Sequence, residues 1–98
     1  MPNPNYLAGR AVEYEVIRLA KLDGWDAVRT AGSHGPFDVI SFRPDRKPIF
    51  TQCKRVGNQT TANRLIKKFR ENTQSSLYYH QAITIKIKGS TDLLTAVV

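Results

Sequence analysis

Two polar residues stand in segments that otherwise read as apolar strands: Asp38 in "FDVISF" (37–42) and Lys54 in "PIFTQCKRV" (48–56). On a period of two, Asp38 shares a face with Ile40 and Phe42, and Lys54 shares one with Phe50, Gln52 and Val56. If these strands pair, Asp38 and Gln52 lie side by side, about 5 Å apart. Two oxygens so placed can grip one Mg²⁺, whose ligand distances are about 2.0–2.1 Å. Glu13, on a preceding helix face with Val16, Ile17 and Ala20, can add a third oxygen, and the backbone carbonyl of Cys53 can face the same ion. Lys54 then stands beside an attacking water and a phosphate oxygen, where an ammonium orients the one and stabilises charge developing on the other. The chemistry that such a set supports is metal-assisted phosphodiester hydrolysis.

Taken singly, each residue has an ordinary explanation. Glu13 can snorkel from the edge of an apolar stripe. Asp38 can cap the turn before its strand, and Lys54 can guard an edge strand against aggregation. The argument for a site rests on their combination. His34 lies in a Gly- and Pro-flanked loop with no evident partner, which suits a phosphate contact or an exposed side chain better than a general base. Cys53 reads as a small buried hydrophobe rather than a nucleophile.

The elements that must carry these residues follow from periodicity. Residues 1–5 read as a flexible arm, because Pro2 and Pro4 disfavour regular structure. Tyr6 to about Asp23 is a helix with Ala8, Val12, Val16, Leu19 and Ala20 at helical spacing, stopped by Gly24. Three strands follow in "WDAVRTAG", "FDVISF" and "PIFTQCKRV", the last two joined by a hairpin-like "RPDRK". "GNQTT" is a loop whose last Thr caps a second helix from about Ala62 to Leu77, with Ala62, Leu65, Ile66 and Phe69 as its buried stripe. "AITIKIK" alternates, with Ile83, Ile85 and Ile87 on one face, and "LLTAVV" is a final strand. The order αβββαββ gives an α/β fold with a mixed central sheet flanked by helices.

Ninety-eight residues make one domain, residues 1–98. Fifteen Lys and Arg against eight Asp and Glu give a net charge of +7, which favours a polyanionic partner. A single cysteine excludes an intrachain disulfide, and no Cys/His cluster suggests zinc. No apolar run reaches the roughly 18 residues of a membrane span, and "MPNPNYLAGR" lacks the apolar core of a signal peptide. A cytoplasmic protein without membrane association is expected.

Three segments carry a resemblance: "GRAVEYEVIRLAKLDGW" (Gly9 to Trp25), "VRTAGSHGPFDVIS" (Val28 to Ser41) and "IFTQCKR" (Ile49 to Arg55). In this order they resemble the PD-(D/E)XK nuclease superfamily, and more closely the archaeal-type Holliday junction resolvases and their phage relatives. The later half matches only by helix and strand order. The resemblance implies a restriction-endonuclease-like core and a homodimer that binds four-way junctions. It further implies that two opposing strands are cut with Mg²⁺ or Mn²⁺, with no small-molecule cofactor. For a phage-encoded chain the compartment is the host cytoplasm. By position, Glu13, Asp38 and Lys54 match the family's catalytic residues, and Arg29 and Ser33 match its residues held to DNA near the cut. The family usually has an acid where this chain has Gln52, which leaves two negative charges rather than three around the metal. The loop "SHGPFD" is one residue longer than the family spacing.

Further cations extend the basic surface. Arg10 precedes the helical Glu and suits a phosphate contact on charge and position. Arg64, Lys67, Lys68 and Arg70 lie outside the second helix's apolar stripe, and with Lys54–Arg55 they form a basic face able to follow a duplex backbone. The alternative is a solvated helix face. "LLTAVV" is apolar on both faces, which suits burial in a twofold dimer. Three readings stay open: a junction resolvase, a restriction- or repair-type nuclease of the same fold acting on duplex or flapped DNA, and a catalytically weakened junction-binding protein.

Overall fold

A computed structural model describes residues 4–30 and 36–98, with side chains from Arg10 onward. Seven elements follow the expected order: α1 (Pro4–Leu22), β1 (Asp26–Arg29), β2 (Val39–Arg43), β3 (Arg46–Val56), α2 (Gln59–Asn72), β4 (His80–Ile87) and β5 (Leu93–Val97). The strands form one sheet in the order β1-β2-β3-β4-β5. All neighbours are antiparallel except β3 and β4, which run parallel with α2 as their crossover.

α1 begins at Pro4, inside the segment expected to be an arm. Proline blocks a helix interior but suits its first position, where the missing N–H would have had no helical partner. The helix ends in a Schellman arrangement. Trp25 N–H donates to the Ala20 carbonyl at 2.9 Å and Gly24 N–H to the Lys21 carbonyl at 3.1 Å, with Gly24 at φ +86°.

α2 departs from its expected span at both ends. Asn58, with extended backbone, caps it by accepting from Thr61 N–H at 2.8 Å, so Thr61 donates to the cap instead of providing it. The helix stops at Asn72 instead of Leu77, and Thr73 is extended. The apolar stripe of Ala62, Leu65, Ile66 and Phe69 has no successor in "NTQSSL", whose Asn, Thr and Ser side chains compete for backbone hydrogen bonds. Leu77, off the helix, is 82% exposed.

The two helices cover opposite faces of the sheet. Val16 and Leu19 of α1 meet Thr51 of β3 and Ala82 and Thr84 of β4, whereas α2 meets Gln52, Lys54, Gln81 and Ile83, the alternate residues. The main core lies under α2: Ala62, Phe69, Ile83, Ile85 and Ala96, with Val56, Leu65, Ile66, Ile87, Leu94 and Val98 around it. Under α1 lie Val12, Ala27 and Val39, with Ser41, Thr51 and Thr84 also buried. Thr84 shares a 2.9 Å hydroxyl hydrogen bond with Thr95 across β4 and β5, which satisfies its polar atom. β4 is therefore buried on both faces along its centre, Ala82 and Thr84 on one and Ile83 and Ile85 on the other.

Gly24→Ala should destabilise the fold by about 1–2 kcal/mol, the cost of a left-handed conformation for an L-residue. The added Cβ meets only the Arg43 guanidinium at an ordinary 3.6 Å, so the effect isolates backbone strain. Gly57→Ala, with open space and no positive φ, should be neutral or up to about 1 kcal/mol stabilising. Urea unfolding midpoints at unchanged slope measure both.

Candidate active site

Asp38 sits at the bend immediately before β2, one residue outside the strand that the sequence placed it in, and three strands meet on it. Its N–H donates to the Thr51 carbonyl at 2.8 Å, its carbonyl accepts from Thr30 N–H at 3.0 Å, and its Oδ2 accepts from Cys53 N–H at 2.8 Å. The Thr30 hydroxyl also donates to the Phe37 carbonyl, fixing the approach to Asp38. The β2–β3 register begins with Val39 opposite Thr51, and Asp38 N–H also reaches the Thr51 carbonyl, so Asp38 leaves the ladder beside Thr51 instead of stepping on to pair with Gln52 as the sequence suggested. The carboxylate is thus held by the Cys53 N–H, with Oδ1 outside these bonds.

β3 divides its residues between the two faces. Gln52 and Lys54 line a cleft between α2 and the sheet. Lys54 is exposed and has no hydrogen bond or ion pair with any described residue. Cys53 lies between them in sequence. Burial pushes its thiol up to about 12, helped by the negative charges of Asp38 and Glu13. The thiol therefore stays protonated at neutral pH and is a poor nucleophile.

Glu13 and Arg29 form a partly buried ion pair, Oε2 to Nε at 3.2 Å, with side chains 15% and 19% exposed. Arg29 reaches Glu13 from β1, where it pairs with Val39 beside Asp38. Its Nη1 also donates to the Tyr14 hydroxyl at 3.4 Å, and Arg10 Nη2 donates to the same hydroxyl at 2.8 Å. Both guanidinium groups lie over the Tyr14 ring, at 5.6 Å for Arg10 and 5.1 Å for Arg29. The Arg10 hydrogen bond, with the charges of Arg10 and Arg29, holds the Tyr14 phenol below its ordinary value against a smaller desolvation effect. Tyr14 escaped the sequence reading, although its position one turn after Arg10 was an available signal.

The remaining cations are spread over the molecule. Arg64, Lys67, Lys68 and Arg70 are exposed along α2. Lys67 lies 4.0 Å from Glu71, and Lys68 lines the same cleft as Gln52 and Lys54. Arg55 is exposed but falls, by strand alternation, on the face opposite Lys54, so these neighbours do not form one basic pair. Ser33 and His34 lie outside the described residues. Among the described residues, no three of His, Cys, Asp and Glu are gathered so as to hold a metal ion. A metal here would rest on two carboxylates completed by neutral oxygens.

No protein-family model matches the chain, and no curated protein matches it. Among solved structures, the chain is similar to Hjc of Archaeoglobus fulgidus, a Holliday junction resolvase from an archaeal hyperthermophile. The TM-score is 0.57 at 16% identity, over 85% of this chain and 67% of that one. At that identity the likeness is one of fold: the mixed five-stranded sheet with its two helices is shared with that resolvase.

Proposed function

We propose that this protein is a metal-dependent endonuclease selective for branched DNA, which resolves four-way junctions by paired phosphodiester cuts as a homodimer. The observation that carries the reading is the fixing of the Asp38 carboxylate on Cys53 N–H, in the strand that also carries Gln52 and the unpaired Lys54. The fold shared with a junction resolvase supports the substrate class.

The donors suit Mg²⁺, with Mn²⁺ as substitute, because all are hard oxygens. Glu13, Asp38, Gln52 and the Cys53 carbonyl would hold the ion. Bound there, it would supply Lewis-acid polarisation of the phosphate and acidification of water. The chain's own residues do the rest. The backbone bonds of Asp38 keep its carboxylate from swinging with substrate. Lys54, unneutralised by any described acid, faces the charge that grows on the phosphate during attack. Arg10 and Arg29, braced on Tyr14, present guanidinium groups to the backbone of the bound strand. The exposed cations of α2 add contacts that read no sequence.

The dimer reading draws on the sheet's far edge. α1 leaves an apolar groove open beside β5, lined by Val16, Leu19, Leu93 and Val97, and Val97 is 53% exposed. A second copy on this face would bury it and present two sites related by a twofold axis.

A catalytically weakened junction-binding protein is the second reading. Gln52 brings no charge, and Glu13 is already committed to Arg29.

A cleavage assay on a four-way junction and on linear duplex, with and without Mg²⁺ or Mn²⁺, tests the proposal. The junction alone should be nicked, and only with metal. Equal cutting of duplex would assign a restriction- or repair-type substrate, and no nick at any metal concentration would leave the binding protein. Asp38→Asn should lower cutting roughly 100-fold or more while junction affinity persists, and Lys54→Ala should lower it about 10²–10³-fold, as for loss of one group stabilising transition-state charge. Gln52→Glu should shift the Mg²⁺ dependence to lower concentration. Tyr14→Phe keeps the ring but removes the hydroxyl acceptor of both arginines. Junction affinity should fall about threefold to tenfold, the worth of one or two net hydrogen bonds, in gel-shift titrations without metal.

A further inference from the structure

The cleft between α2 and the β3–β4 pair holds more chemistry than phosphate hydrolysis uses. It encloses about 380 Å³, within the roughly 300–1,000 Å³ typical of small-ligand sites. Two lysines, Lys54 and Lys68, line it, and no acidic residue does. Neither lysine is paired with a described residue. An anion is the charge that this arrangement fits.

Three primary amides, Gln52, Asn72 and Gln81, line the same space. A phosphate needs donors only, whereas a primary amide also brings an acceptor oxygen, and two of these amides each have one of their two N–H groups engaged elsewhere. Asn72 Nδ2 donates to the Lys68 carbonyl at 2.9 Å, and Gln81 Nε2 donates to the Gln74 carbonyl at 3.4 Å. Their side-chain oxygens accept no hydrogen bond from a described residue and stay available as acceptors. Acceptors so placed match N–H groups on the edge of a nucleobase. The floor beneath them is apolar, formed by Leu65, Phe69 and Ile83, and suits the face of a planar ring.

The same face continues into an aromatic cluster. Phe50 pairs with Gln81 in the β3–β4 register and precedes Gln52 by two residues. Its ring centroid lies 5.5 Å from Phe37 and 5.1 Å from Tyr79. Aromatic rings beside a basic groove are the means by which proteins hold unpaired bases.

We infer that this cleft is a nucleotide subsite, in which Asn72 and Gln81 accept from the base of an unstacked nucleotide whose phosphate lies on Lys54 and Lys68. The inference rests on the proposed action on branched DNA and names the part of that substrate taken: a nucleotide at the branch point, where stacking is already interrupted and extrusion costs least. A base bearing an exocyclic amine fits the two acceptors best.

The experiment places 2-aminopurine at each nucleotide flanking the branch point of a four-way junction and reads its emission on binding without metal. Emission should rise at a branch-point position with the wild type and fail to rise with Asn72→Ala and with Gln81→Leu, both checked for wild-type unfolding midpoints. No rise at any position, or an undiminished rise with both folded variants, overturns the inference. If the wild type binds no junction, the functional proposal fails, and adenosine monophosphate is titrated against the side-chain amide NMR signals of Asn72 and Gln81. Shifts at both, weakened about threefold to tenfold by loss of either amide, sustain the subsite by itself. No shift, or the same shifts with inorganic phosphate alone, overturns it.

Discussion

The 2.8 Å hydrogen bond from Cys53 N–H to Asp38 Oδ2 is the interaction on which the candidate site depends. It takes a backbone donor of β3 outside the regular ladder and gives it to a carboxylate. Asp38, just before β2, is tied by its own carbonyl to Thr30, just past β1, and by its own N–H to Thr51 of β3, so one residue links the ends of two strands to a third through main chain and side chain together. Such a carboxylate has little freedom to reorient, which is what the proposed catalytic role would require. The backbone at the opening of β2 and the chemistry of the site are therefore one arrangement. A change at residue 38 acts on both, and an amide of the same shape separates them better than a truncation.

The second constraint is the parallel pairing of β3 and β4. Antiparallel partners at this point could follow one another through a short turn, but a parallel neighbour requires a crossover, and α2 is that crossover. Its apolar stripe packs on Ile83 and Ile85 while its last turn brings Lys68 and Asn72 over the open ends of Gln52 and Lys54. The cleft is thus a by-product of topology: a helix that must return the chain to the sheet roofs the polar face of β3. Cys53 and Glu13 lie toward the other helix, so the site straddles the sheet where β2 begins, with Asp38 between its halves.

Much of this was legible in the sequence, for identifiable reasons. Asp38 and Lys54 were conspicuous because they violate apolar patterns, and Gly24 because only a left-handed stop explains a glycine there. The seven elements in order followed from periods of two and 3.6, and the stop at Gly24 from its residue type, whereas the expected facing of Asp38 with Gln52 gave way to the Asp38 N–H bond to the Thr51 carbonyl. What escaped had local rivals or no local signal. Asn58 and Thr61 are both competent caps, and the choice between them rests on backbone geometry that composition does not encode. Pro4 opens a helix that its residue type alone seemed to forbid. The Glu13–Arg29 pair joins residues on separate elements, and Tyr14 gains its role only when β1 delivers Arg29 to it. Asn72 and Gln81 belong to one cleft solely through the β3–β4 register.

The charge at residue 52 ties these observations together. With Gln52 neutral, the site has the two negative charges of Glu13 and Asp38, and the cation Arg29 already offsets one of them. On the proposed function, a divalent ion would meet less attraction here than among three carboxylates, and Arg29 would compete with it for Glu13. A DNA phosphate would change both terms, for it would bring negative charge toward the ion and offer Arg29 another anion to pair with. On the proposed function, metal and DNA then assist one another's binding, and by linkage each does so to the same degree. Such a site is weakly metallated without its substrate and assembles on it. In that setting a neutral Gln at residue 52 is compatible with catalysis, because part of the charge that holds the ion arrives with the strand to be cut.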